Sequence, residues 1–234
     1  MPGRLSIFDD STFKADIAQT LGSFKDDVQT LVPNYNIAPT IEVPILTNTM
    51  RYTTAHFGLI PSWAKGRSQM QINARCESVF EKVTFKEAYK SRRCIIMVNG
   101  YYEWVKDVRS KISVPYFIHA NTGDYFAFAG VYEEWYDNAL GSTILSCALL
   151  TTNPNDFIAP IHDRMPVILA KEDWDTWLDA KSDYTTLNTL YTPYPSDKMQ
   201  MHEVSQEVNS VKNNGKSCIE EASLQTPRQA SLFE

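Results

Sequence analysis

Short apolar and β-branched runs recur along most of the chain. Ile41–Thr47, Tyr52–Gly58, Cys94–Asn99, Tyr116–His119, Tyr125–Tyr132, Thr143–Thr152 and Pro166–Ala170 are each bounded by turn formers, and each reads as a strand. Fewer segments carry a helical period. Phe13, Ile17 and Leu21 fall on one face of a stretch that Asp10 or Ser11 can cap, which predicts a helix over 10–30. Helical patterns return at Phe85–Ser91, Lys171–Ala180 and Tyr184–Leu190. Many strands in succession with few helices between them predict an α+β fold: a single domain with a mainly antiparallel, barrel-like β core and flanking helices. A doubly wound parallel sheet does not fit that order. The domain is expected over residues 1–220. Residues 221–234, EASLQTPRQASLFE, are polar and aperiodic and read as a disordered tail.

Composition narrows the function classes. With 234 residues, 43% hydrophobic and 12% aromatic, the chain can bury one sizeable core. No apolar run approaches the roughly 20 residues of a membrane span, and the N-terminus lacks the layout of a signal peptide. The four cysteines, at 76, 94, 147 and 218, are far apart and form no C-x-x-C. Neither a metal site nor a disulfide framework is expected, and reduced thiols in a cytoplasm are. The phosphate-binding patterns GxGxxG and GxxxxGK[ST] are absent, so no nucleotide cofactor is expected either. A serine hydrolase has weak support, because no GxSxG elbow occurs. The net charge of −6 argues against a DNA-coating protein, but the charge is uneven. Residues 1–110 carry 14 Lys+Arg and 11 Asp+Glu, whereas residues 111–234 carry 8 and 17. An anionic partner would meet the first half.

Three polar residues stand beside strands among small or aromatic neighbours: Asn73 in Ile72-Asn73-Ala74-Arg75, Glu103 in Tyr101-Tyr102-Glu103-Trp104, and His162 in Ile161-His162-Asp163-Arg164. A carboxylate between aromatics is partly desolvated and inclined to acid/base work. A histidine beside Asp and Arg can shuttle protons near neutral pH. Each of them alone is as well explained by a structural role.

Taken in order, the motifs say more. Met1-x-Gly3-Arg4, Tyr35-Asn36-Ile37-Ala38-Pro39-Thr40 and Gly58-Leu59-Ile60-Pro61-Ser62-Trp63 come first. Ile72-Asn73-Ala74-Arg75-x-Glu77, Asn99-Gly100-Tyr101-Tyr102-Glu103-Trp104, Ile161-His162-Asp163-Arg164-Met165-Pro166 and Val204-Ser205-x-x-Val208-Asn209 follow. This series, over roughly residues 1–220, resembles the SRAP family of SOS-response-associated, abasic-site-processing proteins.

The resemblance implies a covalent trap for abasic sites in single-stranded DNA, acting in the DNA damage response. Removal of Met1 would expose residue 2, a cysteine in the family. Its amine forms a Schiff base with the sugar aldehyde, and its thiolate closes a thiazolidine. Carried over by position, Asn73 would hold the terminal residue or the sugar. Glu103 would assist proton transfer and Met1 removal. His162 would serve as acid/base. Arg4, Arg75 and Arg164 would hold phosphates, Asn36 would line the pocket, and Trp63 would stack or wedge against the nucleic acid. A monomer in the cytoplasm of a bacterium, near the nucleoid during repair, is the expected setting.

Here residue 2 is Pro2. A thiazolidine needs amine and thiol on one residue, so this chain should not form one. Three readings stay open: a substituted form of an ordinary crosslinker, a member that only binds, and a member whose Pro2 secondary amine forms an iminium and drives β-elimination. The C-terminal Gln229-Ala230-Ser231-Leu232-Phe233 looks like the peptide that docks on the bacterial sliding clamp. There Leu232 and Phe233 would fill an apolar pocket and Gln229 would bond at its edge.

Overall fold

In the computed structural model, which describes residues 2–106, 113–121 and 125–222, the elements follow in this order. The chain begins with β1 (Leu5–Ile7), α1 (Ser11–Thr20), β2 (Lys25–Asp26), β3 (Asn34–Ile37), β4 (Glu42–Thr47), β5 (Arg51–Phe57) and β6 (Asn73–Arg75). It continues through α2 (Lys86–Ser91), β7 (Arg93–Val98), β8 (Gly100–Lys106), β9 (Ser113–Ala120), β10 (Phe126–Asp137) and β11 (Ser142–Thr152). The last elements are β12 (Met165–Pro166), α3 (Trp174–Leu178), α4 (Tyr184–Asn188) and β13 (Met199–Glu203).

Five strands close on themselves in the order β11-β10-β7-β4-β5. The ring is shut by a parallel pairing of β5 with β11, which sets His56 beside Ser146 and Phe57 beside Cys147. The expected barrel-like α+β fold is therefore a closed five-stranded barrel with added strands and a few helices. All six residues of β7 are buried. Continuous burial means cover on both faces, which is why this strand reads as an unbroken apolar run rather than an alternation. The outer cover includes α2 and α3. Arg93, at the start of β7, is 2% exposed and donates to the carbonyls of Trp177 (2.7 Å), Tyr89 (2.7 Å), Lys90 (3.3 Å) and Asp179. It thereby satisfies the orphan C-terminal carbonyls of both helices at once.

A second sheet, β13-β9-β8-β1-β3, leaves the barrel at one residue, Asn99, between β7 and β8. The Asn99 side chain takes the N–H groups of Phe8 (2.7 Å) and Asp9 (3.1 Å) and returns a bond to the Asp9 carbonyl (3.0 Å). The next residue must be glycine. A Cβ on Gly100 would lie 2.3 Å from the Phe117 ring and 2.8 Å from the Ile118 carbonyl oxygen.

Several expectations need correction. The helix expected over 10–30 stops at Thr20. Gly22 takes a φ of +85°, a left-handed conformation that ends helices, and residues 25–26 pair instead with β5. Phe24, Val28 and Leu31 still pack on the core, from extended chain. The strand expected over Pro166–Ala170 is reduced to Met165–Pro166 plus a single bridge from Ile168 to Phe128. Helix Lys171–Ala180 contracts to Trp174–Leu178, and Tyr184–Leu190 to Tyr184–Asn188. Glu221 and Ala222, expected in the tail, remain attached: Glu221 bridges Val204, and the Ala222 N–H bonds the Glu203 carbonyl at 2.8 Å. Gln229, Leu232 and Phe233 lie outside the described residues.

Candidate active site

Three short elements bring the expected residues together. β6 pairs parallel with the end of β11, setting Asn73 beside Leu149 and Arg75 beside Thr151. β1 pairs antiparallel with β8, Leu5 opposite Tyr101, and the Tyr102 N–H bonds the Arg4 carbonyl at 3.0 Å. Continued by two residues, that register sets Gly3 opposite Glu103. Pro2 is buried at the head of β1, and the Asn73 amide donates to its carbonyl at 3.2 Å. Residue 2 is thus anchored through its backbone carbonyl. Glu103 is itself 7% exposed.

The turn at 162–164 lies against the end of β11, where the Thr151 carbonyl accepts from Arg164. Arg164 is 7% exposed. Its two terminal nitrogens meet the Glu77 carboxylate at 2.6 and 2.8 Å, a fork-on-fork pair, and one also reaches the Thr151 carbonyl at 2.6 Å. The backbone N–H of Arg164 donates to His162 Nδ1 at 2.9 Å. A neutral His162 that accepts there carries its proton on Nε2. An oxygen of the Asp163 carboxylate lies 2.9 Å from the same Nδ1, a partner for the imidazolium form. Nδ1 therefore has a partner in either protonation state, as a proton-transfer group requires.

The arginines and Asn36 sort differently from the sequence expectation. Arg4 donates to the Asn36 side-chain oxygen (2.6 Å) and the Val208 carbonyl (2.8 Å), and its guanidinium lies 5.5 Å from the Trp104 ring centre. Asn36 is 2% exposed and donates to the carbonyls of Val208 (3.1 Å), Ser210 (3.0 Å) and Asn213 (2.6 Å). Both residues latch the segment after β13 onto the second sheet rather than line an open pocket. Trp104 Nε1 closes the latch on Asn209 Oδ1 at 2.7 Å. Arg164 likewise has a carboxylate where a phosphate was expected. Arg75 is exposed. Trp63, 52% exposed, stands on the loop that leads into β6. That loop is tied down by Trp135 Nε1 on the Ala64 carbonyl (2.7 Å) and by the Arg67–Asp137 ion pair (2.9 Å).

No described cysteine is poised to act. Burial pushes the Cys76 thiol up to about 11 and raises those of Cys94 and Cys147 well above the usual thiol range. All three remain thiols at neutral pH. Glu77 joins Arg164 and so braces the His162 turn, a pairing between two of the ordered motifs that the sequence alone leaves unassigned.

A family model described as "SOS response associated peptidase (SRAP)" matches residues 1–211. The chain belongs to the SRAP family. It is 40% identical over 223 residues to the abasic site processing protein YoaM of Bacillus subtilis, covering 92% of this chain and 94% of that one. It is 28% identical to the rat abasic site processing protein HMCES, over 82% of this chain and 66% of that one. A crystal structure of a Bacteroides thetaiotaomicron protein superposes with a TM-score of 0.81 at 25% identity, covering 94% of this chain and 99% of that one. No helix among the described residues is long and apolar enough to cross a membrane.

Proposed function

We propose that this SRAP protein processes abasic sites in single-stranded DNA through the amine of residue 2. The observation that carries the reading is the bond from Asn73 to the carbonyl of the buried Pro2, which holds the backbone of residue 2 in place. Removal of Met1 would free the Pro2 nitrogen as a secondary amine. An N-terminal amine titrates at about 8, so a useful fraction is neutral and nucleophilic at pH 7.

The nitrogen adds to the open-chain sugar aldehyde, and loss of water leaves an iminium. Glu103 and His162 supply and accept the protons of these steps. With no thiol on residue 2, the iminium cannot close a thiazolidine. It either hydrolyses or loses a proton from the sugar α-carbon, with the 3′ phosphate departing by β-elimination. Arg75 would hold a backbone phosphate, and Trp63 would stack on or wedge against the adjacent base, worth roughly 1–3 kcal/mol. On this reading Arg164 acts by bracing the His162 turn. Arg4 and Asn36 act by fixing β1 and the segment beyond β13. Gln229, Leu232 and Phe233 would tether the protein to a bacterial sliding clamp, which sets the place of action near the replicating nucleoid.

Intact mass spectrometry with an abasic oligonucleotide tests the reading. Loss of Met1, a Pro2–DNA adduct trapped by borohydride, and no heat-stable crosslink are expected, whereas Pro2→Cys gives a heat-stable crosslink. A heat-stable crosslink from the Pro2 protein, or none from Pro2→Cys, would overturn it. Binding with neither adduct nor strand cleavage would make the chain a binding module alone. Deleting residues 229–233 should abolish clamp capture; capture unchanged by the deletion removes that partner.

A further inference from the structure

Beyond the residue 2 site, the segment after β6 builds a second feature. Lys82, Lys86 and Lys90 are all exposed and fall four residues apart. Lys86 and Lys90 stand about one turn apart on α2, roughly 6 Å along its axis, and Lys82 lies four residues earlier in the turns that lead into the helix, where its N–H bonds the Ser78 carbonyl (3.0 Å) and its carbonyl accepts from the Lys86 N–H (2.8 Å). Lys86 and Lys90 line a cavity of about 420 Å³ whose other wall carries Phe80 and Tyr184. Those two rings pack at 4.2 Å, and Tyr184 is 40% exposed.

A chain of buried hydrogen bonds links the cavity wall to the end of β11. In that wall, Tyr89 shares a 2.6 Å hydroxyl bond with Tyr191, whose carbonyl accepts from Thr152 at the end of β11. Thr152 adjoins Thr151, the residue that meets Arg75 and Arg164. Cations facing an exposed aromatic ring are an arrangement that holds a single strand: phosphates on the basic wall and a base on the ring. The acidic groups nearby are Glu81, Glu87 and Asp183. The Asp183 carboxylate is engaged by the Thr186 N–H at 2.8 Å, and Glu87 lies 4.0 Å from Lys86. Arg93, in the same wall, is taken up by carbonyls and adds no free donor fork.

We propose that this groove is a track for the single strand flanking the abasic nucleotide, with phosphates on Lys82, Lys86 and Lys90 and one base on Tyr184. It deepens the abasic-site reading, and only its near end depends on that reading. The test measures binding of an undamaged oligothymidylate of about 20 nucleotides against salt. It also measures adduct formation with abasic oligonucleotides whose flanks are about two or about ten nucleotides long, extended on either side.

Replacing all three lysines (Lys82→Gln, Lys86→Gln, Lys90→Gln) should lower the slope of log K against log salt by about 2, at roughly 0.7 per lost contact. It should leave the short-flank adduct unchanged and remove the advantage of the long flank on one side. Tyr184→Ala should weaken the undamaged strand about tenfold with no change in slope. The same charge change at Lys198, Lys212 and Lys216, also exposed, should leave the slope unaltered. A slope that the Lys82, Lys86 and Lys90 changes do not move, or that the control changes move equally, would overturn the track. If no abasic adduct forms while the triple variant still loses undamaged strand, the track stands and the abasic reading falls.

Discussion

The barrel and the second sheet are joined through Asn99 and share one apolar core, into which the second sheet sends Leu5, Ile7 and Ile37, but the second sheet adds a set of directional polar bonds. In the barrel, Ile45, Phe57, Ile96, Phe128, Leu149 and Leu150 are fully buried, and the strands run six to twelve residues. Apolar burial, at about 25 cal/mol per Å², contributes most of the stability there. In the second sheet, β1 and β3 are three and four residues long. Their positions depend on side-chain bonds to backbone: Asn99 to the Phe8–Asp9 segment, Arg4 to Val208, and Asn36 to Val208, Ser210 and Asn213. Apolar packing is tolerant and non-directional, whereas a hydrogen bond fixes distance and angle. The chemistry of residue 2 needs the second kind of control. The barrel supplies stability, and the polar seam supplies placement.

Truncation should separate the two. Leu149→Ala, in the barrel wall, is expected to lower global stability by about 2–5 kcal/mol. In thermal unfolding that is a fall on the order of 10 °C, with hydrogen exchange accelerated everywhere at once. Asn36→Ala should cost less, about 1–3 kcal/mol, because three carbonyls and the Arg4 guanidinium lose a partner. Its signature is local: exchange should rise first over residues 205–218, with the barrel amides still protected. Uniform acceleration in Asn36→Ala would mean that the seam is part of the core and the division fails. Trp63→Ala should change stability by less than either, since the ring is half exposed, and should weaken single-strand binding by roughly tenfold. Unchanged binding would remove Trp63 from the interface.

The same division decides what is legible in the sequence. Long barrel strands such as β10 and β11 announce themselves by apolar runs between turn formers, and their closure into a barrel follows from their number and order. The strands that carry the site do not. β1, β3 and β6 have three or four residues, too few for an alternation to register. The Phe13, Ile17 and Leu21 spacing carries the expected helix past Gly22, since a period does not report where the backbone turns left-handed. Asn73, Glu103 and His162 are legible as polar residues between apolar neighbours. The carbonyl partners of Arg4, Asn36 and Arg164 are not, because carbonyls carry no residue identity. Asn36 beside Arg4 and Glu77 beside Arg164 are side-chain partners that themselves stand inside the motifs.

The smallest expected effect tests the site side of the comparison by pH. Burial alone would raise the Glu77 carboxyl, but the paired donors of Arg164 outweigh it and hold the group below the usual carboxylate range. A carboxyl depressed on folding stabilises the protein above its unfolded pKa of about 4.3, and that contribution is lost as pH falls through the lower folded value. Because the Glu77 side chain is 49% exposed, solvent screens the pair and the effect is modest. Denaturant unfolding of Glu77→Gln should show a deficit against the native chain that is constant from about pH 5 to 8 and shrinks as pH falls below that range and the native Glu77 itself takes up a proton. Leu149→Ala should show a deficit that does not narrow over the same range, since it removes no titrating group. A Glu77→Gln deficit as large at pH 3 as at pH 7 would show that Glu77 braces the His162 turn by shape rather than by charge. The seam would then be held, like the barrel, by packing.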